Sequence, residues 1–368
     1  MSIYVTKPSL PSMEDFINEI KPIFDNKILT NMGPVYKKFQ HMLLEYLDVS
    51  YLSLFVNGHM ALENAIKTYD FPEGSEVITT PFTFVSTTHS IVRNNLKPVF
   101  CDINEKDYTI DVNKIESLIT DKTVAIVPVH VYGNICDVEA IDEIAKKHNL
   151  KVIYDAAHAF GEKYKGKGIG NFGDAVMFSF HATKVFNSVE GGAVAFKDES
   201  LRNRLHELKN FGIVDTGDVC AIGGNSKLDE IRAAMGICNL RRIGECIEKR
   251  KAVRDHYLER LSGIDGIILS EDCDDVESNY SYFPIRILPE KFGKTRDEVF
   301  KNLEENDIYA RKYFYPAVNE LSCYKAYGAE KSTPIAHDVS KTILTLPMYE
   351  ELELDIVDKI CDIIIQDK

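Results

Sequence analysis

Val124-Ala-Ile-Val-Pro-Val129, the stretch from Val138 to His148, and Lys151-Val-Ile-Tyr154 decide the fold class. The first and last are short, apolar and rich in β-branched residues, as strands buried on both faces are. The middle stretch carries its apolar residues at helical spacing. Strand, helix and strand in that order make a parallel pair joined by a crossover. The alternation continues outward through Glu76-Val-Ile-Thr79, Pro98-Val-Phe-Cys101, Ala175-Val-Met-Phe-Ser-Phe180 and Gly192-Ala-Val-Ala-Phe196. Residues from about 50 to 197 are therefore expected to form an α/β domain around a mostly parallel, helix-covered central sheet.

After Lys227 the pattern changes to long helices, Leu228 to Leu240 and Ile243 to Leu261. A smaller α+β unit follows, with a strand at Tyr282-Phe-Pro-Ile-Arg-Ile287, a helix near Arg296 to Glu305 and a closing helix from Leu354 to Gln366. The expected division is a large domain over residues 1–245, including the N-terminal segment, and a small C-terminal α+β domain over 246–368. The helix near 243–261 is the expected connector, and no internal repeat or low-complexity tract interrupts the plan.

The chain has 368 residues, 45% of them hydrophobic, enough to bury a large core. Its net charge of −14 argues against broad electrostatic binding to nucleic acid or to an anionic membrane. A local basic pocket for a phosphorylated ligand remains compatible with that charge. The eight cysteines, at 101, 136, 220, 238, 246, 273, 323 and 361, form no CxxC pair and read as reduced thiols in a cytoplasmic protein, with no metal site expected. The first residues lack a cationic segment followed by an apolar one, and no run approaches the length of a membrane span. Asn279-Tyr-Ser281 matches a glycosylation sequon, which carries no meaning in the cytoplasm.

Three side chains at the ends of apolar runs suggest chemistry. Asp155 closes Lys151-Val-Ile-Tyr154, so its carboxylate should emerge at the carboxyl edge of the sheet, where open α/β folds bind ligands. There it can hold a proton on a pyridine nitrogen, or simply cap the turn that follows. Lys184 follows the Ala175–Phe180 run, and its neighbours His181-Ala-Thr183 and Val185-Phe186 are not those of a solvated lysine. A lysine in an apolar setting has a lowered pKa and serves as a nucleophile and proton carrier. Ser179 can bind a phosphate and Gly191-Gly192 a compact turn, while His158 either bonds a ring hydroxyl or is a satisfied core histidine. Asn57-Gly58-His59-Met60 precedes a helical stretch from Ala61 to Tyr69. It is either a phosphate-binding helix N-terminus or an ordinary capped turn. An acid, a hydroxyl and a lysine so placed are what pyridoxal phosphate requires. Gly168-Ile-Gly170-Asn-Phe-Gly173 has the spacing of a dinucleotide-binding loop but follows a polar segment and precedes a strand, the wrong order for that role.

The combination of Asp155-Ala-Ala-His158, Lys165-Gly-Lys-Gly-Ile-Gly-Asn-Phe-Gly-Asp174, Ser179-Phe-His-Ala-Thr-Lys184 and Glu190-Gly-Gly192 resembles the DegT/DnrJ/StrS-type nucleotide-sugar aminotransferases, fold-type I pyridoxal phosphate enzymes. The similarity runs through nearly the whole chain. It includes Val5-Thr-Lys-Pro-Ser-Leu-Pro11, Leu29-Thr-Asn-Met-Gly-Pro34, Thr80-Pro-Phe-Thr-Phe-Val-Ser-Thr87, Pro128-Val-His-Val-Tyr-Gly133, Asn210-Phe-Gly212 and Leu346-Pro-Met348. The resemblance implies that Lys184 carries pyridoxal 5′-phosphate, with Asp155 on the pyridine nitrogen, His158 near the ring hydroxyl, Ser179 on the phosphate and Phe84 stacked on the ring. It also implies a homodimer with shared active sites, because Asn225, in Gly223-Gly-Asn225-Ser-Lys-Leu-Asp-Glu230, matches a residue that reaches the neighbouring subunit's phosphate. His59 departs from the Ser or Thr common after the first glycine, leaving backbone donation from Gly58 and His59 but no hydroxyl contact. Lys184 argues against the dehydratase branch, where histidine replaces the lysine.

Within the family, the wording around Lys184 is most similar to enzymes aminating C4 of dTDP-4-keto-6-deoxy-D-glucose for surface polysaccharides, including lipopolysaccharide O-antigen. L-Glutamate is the implied donor and the kinetics are expected to be ping-pong. The competing readings are a relative acting at C3, one using a UDP- or GDP-linked sugar, and a non-catalytic cofactor-binding regulator. Arg311, Tyr313 and Tyr315 suit a nucleotide diphosphate in type, but equally an ordinary core or interface.

Overall fold

A computed structural model describes residues 2–215, 217–327 and 332–366. Met1, Thr216, residues 328–331 and residues 367–368, all inside the two expected domains, lie outside the described residues. Seven strands form the central sheet: β1 (Tyr51–Phe55), β2 (Glu76–Thr79), β3 (Lys97–Phe100), β4 (Thr123–Val127), β5 (Lys151–Asp155), β6 (Ala175–Ser179) and β7 (Gly192–Phe196). Their spatial order is β1-β7-β6-β5-β4-β2-β3. Every pairing from β3 across to β6 is parallel, and only β7 runs antiparallel to its neighbours. The expected α/β fold with a mostly parallel sheet is the fold found.

The two-residue period of a strand explains the burial. In β5, Val152 and Tyr154 join one apolar core while Ile153 joins another; in β6, Val176 and Phe178 go one way and Ala175 and Met177 the other. Both faces of the sheet are thus covered, and the strands read as continuous apolar runs for that reason. The Val138–His148 helix has the boundaries its sequence predicts. Asp137 caps it by accepting the Ala140 N–H at 3.0 Å, and Asn149 ends it in the left-handed conformation. The glycine-spaced segment contains a strand at Lys167–Gly168 and a 3₁₀ turn at Ile169–Asn171 before β6, with no helix behind the glycines. No crossover helix separates β6 from β7. A loop over residues 180–191 reverses the chain instead, which is why β7 is antiparallel, and that loop carries Lys184.

The C-terminal part builds a second core on an antiparallel sheet of β8 (Ile267–Leu269), β9 (Phe283–Ile287) and β10 (Ile343–Leu346), with β9 central. The Ile243–Leu261 helix joins the two cores: Ile243 packs into the first, Val253, Tyr257 and Leu261 into the second. The N-terminus also reaches this second unit, where Ile3–Tyr4 pairs in parallel with Ile308–Tyr309.

Candidate active site

Asp155 is the last residue of β5 and Ser179 the last of β6, so both emerge at the carboxyl edge of the parallel strands. The Gly58–Lys67 helix begins at the same edge, fixed by Asn57, whose side chain accepts the Met60 N–H at 2.8 Å. The loop after β6 folds back through hydrogen bonds from Phe180 N–H to Gly191 O and from Ser188 N–H to Phe180 O. A cavity of about 420 Å³ results. Asp155, His158, Ser179, Lys184, Gly58, His59 and Phe84 all line it; Asn225 does not.

Asp155 is buried, and burial raises its pKa above the ordinary carboxylate value. Thr87 opposes that shift by donating its hydroxyl to Oδ2 at 2.8 Å, and the Ala157 N–H donates to Oδ1 at 3.1 Å. The turn-capping contact is therefore real, but it uses only one oxygen. Lys184 faces the cavity from within the protein, and burial lowers its pKa from 10.5 to about 8, with Asp155 pulling the other way. Its ammonium lies 5.8 Å from the centroid of the Tyr282 ring. His158 is held well below the usual histidine range by burial, reinforced by Lys184. Its Nδ1 accepts the Tyr132 N–H at 2.9 Å, so the neutral ring carries its proton on Nε2. That leaves the His158 Nε2–H as a hydrogen-bond donor.

The helix N-terminus is shaped for close approach. A Cβ on Gly58 would fall 2.8 Å from Ser179 Cβ and 2.9 Å from Ser179 Oγ, so any other residue would fill the space between them. With Met60 capped, the Gly58 and His59 N–H groups are first-turn donors with no acceptor among the described residues. The His59 side chain is engaged by Ser86 at 2.8 Å and Glu63 at 3.5 Å, so what His59 offers an anion is its backbone. Phe84, a large aromatic ring in the cavity wall, is 58% exposed.

Several wall residues escaped the sequence reading. Thr83 lines the cavity and Thr87 stands buried behind it, their hydroxyls 3.0 Å apart; both lie in the quoted Thr80–Thr87 motif, which was the available signal. Tyr282 and Phe314 arrive from the second unit, as do Arg311 and Tyr313, whose residue types suit a nucleotide diphosphate; Arg311 donates to the Tyr313 hydroxyl at 3.0 Å. Tyr315 stays outside, under the Arg296 guanidinium. Asn225 is exposed on a loop that pairs back to Asn210.

The DegT/DnrJ/EryC1/StrS aminotransferase family matches residues 12–365. The chain belongs to that family. This aminotransferase is 42% identical over 358 residues to a dTDP-4-amino-4,6-dideoxy-D-glucose transaminase of Shigella dysenteriae, covering 97% of each chain. It is 41% identical over 369 residues to an Escherichia coli transaminase of the same name, covering 99% and 98%. Among solved structures, DesI in the presence of its TDP-sugar product superposes with a TM-score of 0.94 at 29% identity, over 99% of this chain and 92% of DesI. The aminotransferase's cofactor is pyridoxal 5′-phosphate. The residues present fit it: a deep carboxylate, a lysine titrating near neutrality, and a glycine cradle with free N–H donors beside a hydroxyl.

Proposed function

We propose that this aminotransferase moves the amino group of L-glutamate to C4 of dTDP-4-keto-6-deoxy-D-glucose, leaving 2-oxoglutarate. The observation that carries the reading is near full-length identity above 40% to two transaminases named for the 4-amino product. When bound, pyridoxal phosphate supplies the electron sink that lets a C–H bond beside nitrogen break at neutral pH. Asp155 would hold the proton on the pyridine nitrogen, and His158 Nε2–H would donate to the ring hydroxyl. Gly58 N–H, His59 N–H and Ser179 Oγ would receive the phosphate, and Phe84 would stack on the ring. Lys184 Nζ takes and returns the proton, first at the glutamate α-carbon and then at C4 of the sugar. With a pKa of about 8, roughly a tenth of it is neutral at pH 7, against a few parts in ten thousand at 10.5. Arg311, braced by Tyr313, gives the cavity a fixed cation for the anionic part of either substrate.

We further propose a cytoplasmic homodimer serving surface polysaccharide synthesis, including O-antigen. All eight cysteines are free, and no helix among the described residues is long and apolar enough to cross a membrane. The hairpin of Ile213–Asp215 and Asp218–Val219 leaves Val214, Val219 and Ile222 exposed next to Asn225, an apolar surface that a second copy would cover. Asn225 then completes the neighbour's phosphate site. The test is a panel of nucleotide-linked ketosugars with glutamate, read by mass spectrometry. The dTDP-4-ketosugar should be aminated fastest, and Lys184→Ala should abolish both turnover and the visible absorbance of lysine-bound cofactor. Preference for a UDP- or GDP-linked sugar would contradict the assignment.

A further inference from the structure

Behind His158 lies a buried acid that the mechanism above does not use. Glu162 is 1% exposed, and no lysine or arginine among the described residues compensates it. Its Oε1 accepts the Asn279 N–H at 3.1 Å and the Ser278 hydroxyl at 3.4 Å. Its Oε2 is buried with no partner. Asn279 is equally buried, and its amide orientation is fixed because Nδ2 donates to His158 O at 2.9 Å and Phe160 O at 3.0 Å. Asn279 Oδ1 is therefore a second buried acceptor without a donor. Both residues press on Gly133, where a Cβ would come within 2.6 Å of Glu162 Oε1 and 3.6 Å of Asn279 Oδ1.

Two buried acceptors without a partner among the described residues are costly, and an uncompensated buried carboxylate more so. One proton on Glu162 removes the charge and turns one of the two acceptors into a donor. Burial pushes the Glu162 pKa well above the ordinary value, in the same direction.

The position gives the group a task. Lys163–Tyr164, just after Glu162, pairs with Val276–Glu277, just before Ser278, so the network stands where the first unit meets the segment leading into β9. Three residues past Asn279 is Tyr282, whose ring lines the cavity with its centroid 4.7 Å from that of His158. The Asn279 side chain thus holds the backbone carbonyl of His158 while its own backbone leads directly into Tyr282. We propose that Glu162 is kept as the neutral carboxylic acid and acts, with Asn279, as a positioning pair that sets His158 and Tyr282 against each other across the two units. The inference rests on the aminotransferase site and not on which sugar is used.

The experiment uses the full-length holoenzyme. Infrared difference spectra between wild type and Glu162→Gln should show the carbonyl stretch of a protonated carboxylic acid at neutral pH, lost in the variant. Absence of that band overturns the neutral state whatever the substrate. Glu162→Gln, which keeps the shape and a permanent donor, should retain the wild-type glutamate half-reaction. Glu162→Ala should lower its kcat roughly ten- to a hundredfold with KM little changed, and should shift the pH titration of the cofactor's visible band. Wild-type kinetics and titration in Glu162→Ala would overturn the positioning role. A Glu162→Gln enzyme defective in kcat would overturn the role of the donor, and it decides the matter if Glu162→Ala does not fold.

Discussion

Replacing Thr87 by valine removes one hydroxyl from a fully buried position while preserving its volume. The hydroxyl donates to Asp155 Oδ2 at 2.8 Å and accepts from Thr83 at 3.0 Å, so it is aimed at the carboxylate by its neighbour. A hydrogen bond to a buried charge contributes about 1.5–3 kcal/mol. At about 1.36 kcal/mol per tenfold, the loss corresponds to about a 10- to 150-fold slower glutamate half-reaction. The sign follows from the competing causes. Burial already raises the Asp155 pKa and the Thr87 bond lowers it, so Thr87→Val raises it further and favours the protonated form of an acid that must stay ionised to hold the ring-nitrogen proton. The defect should be largest on the acid side and shrink as pH rises, moving the acidic limb of the single-turnover profile upward. Thr87→Ser should restore most of the rate. A Thr87→Val enzyme with the wild-type rate and an unmoved acidic limb would refute the reasoning.

Gly58→Ala places a methyl 2.8 Å from Ser179 Cβ, and overpacking of about 1–3 kcal/mol predicts a cofactor dissociation constant raised about 5- to 150-fold in titrations of the apoenzyme. Unchanged affinity would remove Gly58 from the phosphate cradle. Lys209 is buried among Tyr36 OH, Ser53 Oγ and Leu54 O, and burial lowers its pKa to about 7. Between about pH 7 and 10.5 the unfolded chain holds this proton and the folded chain does not, so stability from this group rises with pH. Lys209→Met should flatten that rise in urea melts, and should cost about 1–3 kcal/mol through its orphaned partners. Mixing Lys184→Ala with Asn225→Ala subunits should regain activity that neither homodimer has, because one site in each hybrid receives Lys184 and Asn225 from different chains. No gain on mixing would place Asn225 outside the shared site.

Asp155 and Ser179 were legible because a strand's last residue falls at a predictable edge, and Lys184 because its apolar neighbours are wrong for a surface loop. The helix at Val138–His148 announced its own caps. β1 was harder to read, since it is a short edge strand with Ser53 at its centre. The residues that escaped are those whose placement depends on packing between distant segments. Residue type suggested Arg311 and Tyr313 but did not separate them from Tyr315, which stays outside; Arg311 reaches the cavity where it pairs with Thr345 beside β9, and Asn279, in the segment leading into β9, bonds the His158 carbonyl. Thr87 lay in the quoted Thr80–Thr87 motif, but its role did not show there, because its partner is 68 residues downstream.

The most direct test of the account is the position of the new C–N bond. The holoenzyme, nitrogen-15 glutamate and dTDP-4-keto-6-deoxy-D-glucose should give a dTDP-sugar whose labelled nitrogen couples by NMR to the C4 proton, with one 2-oxoglutarate formed per amine. Label at C3, or no labelled sugar while the enzyme still converts glutamate, would contradict it.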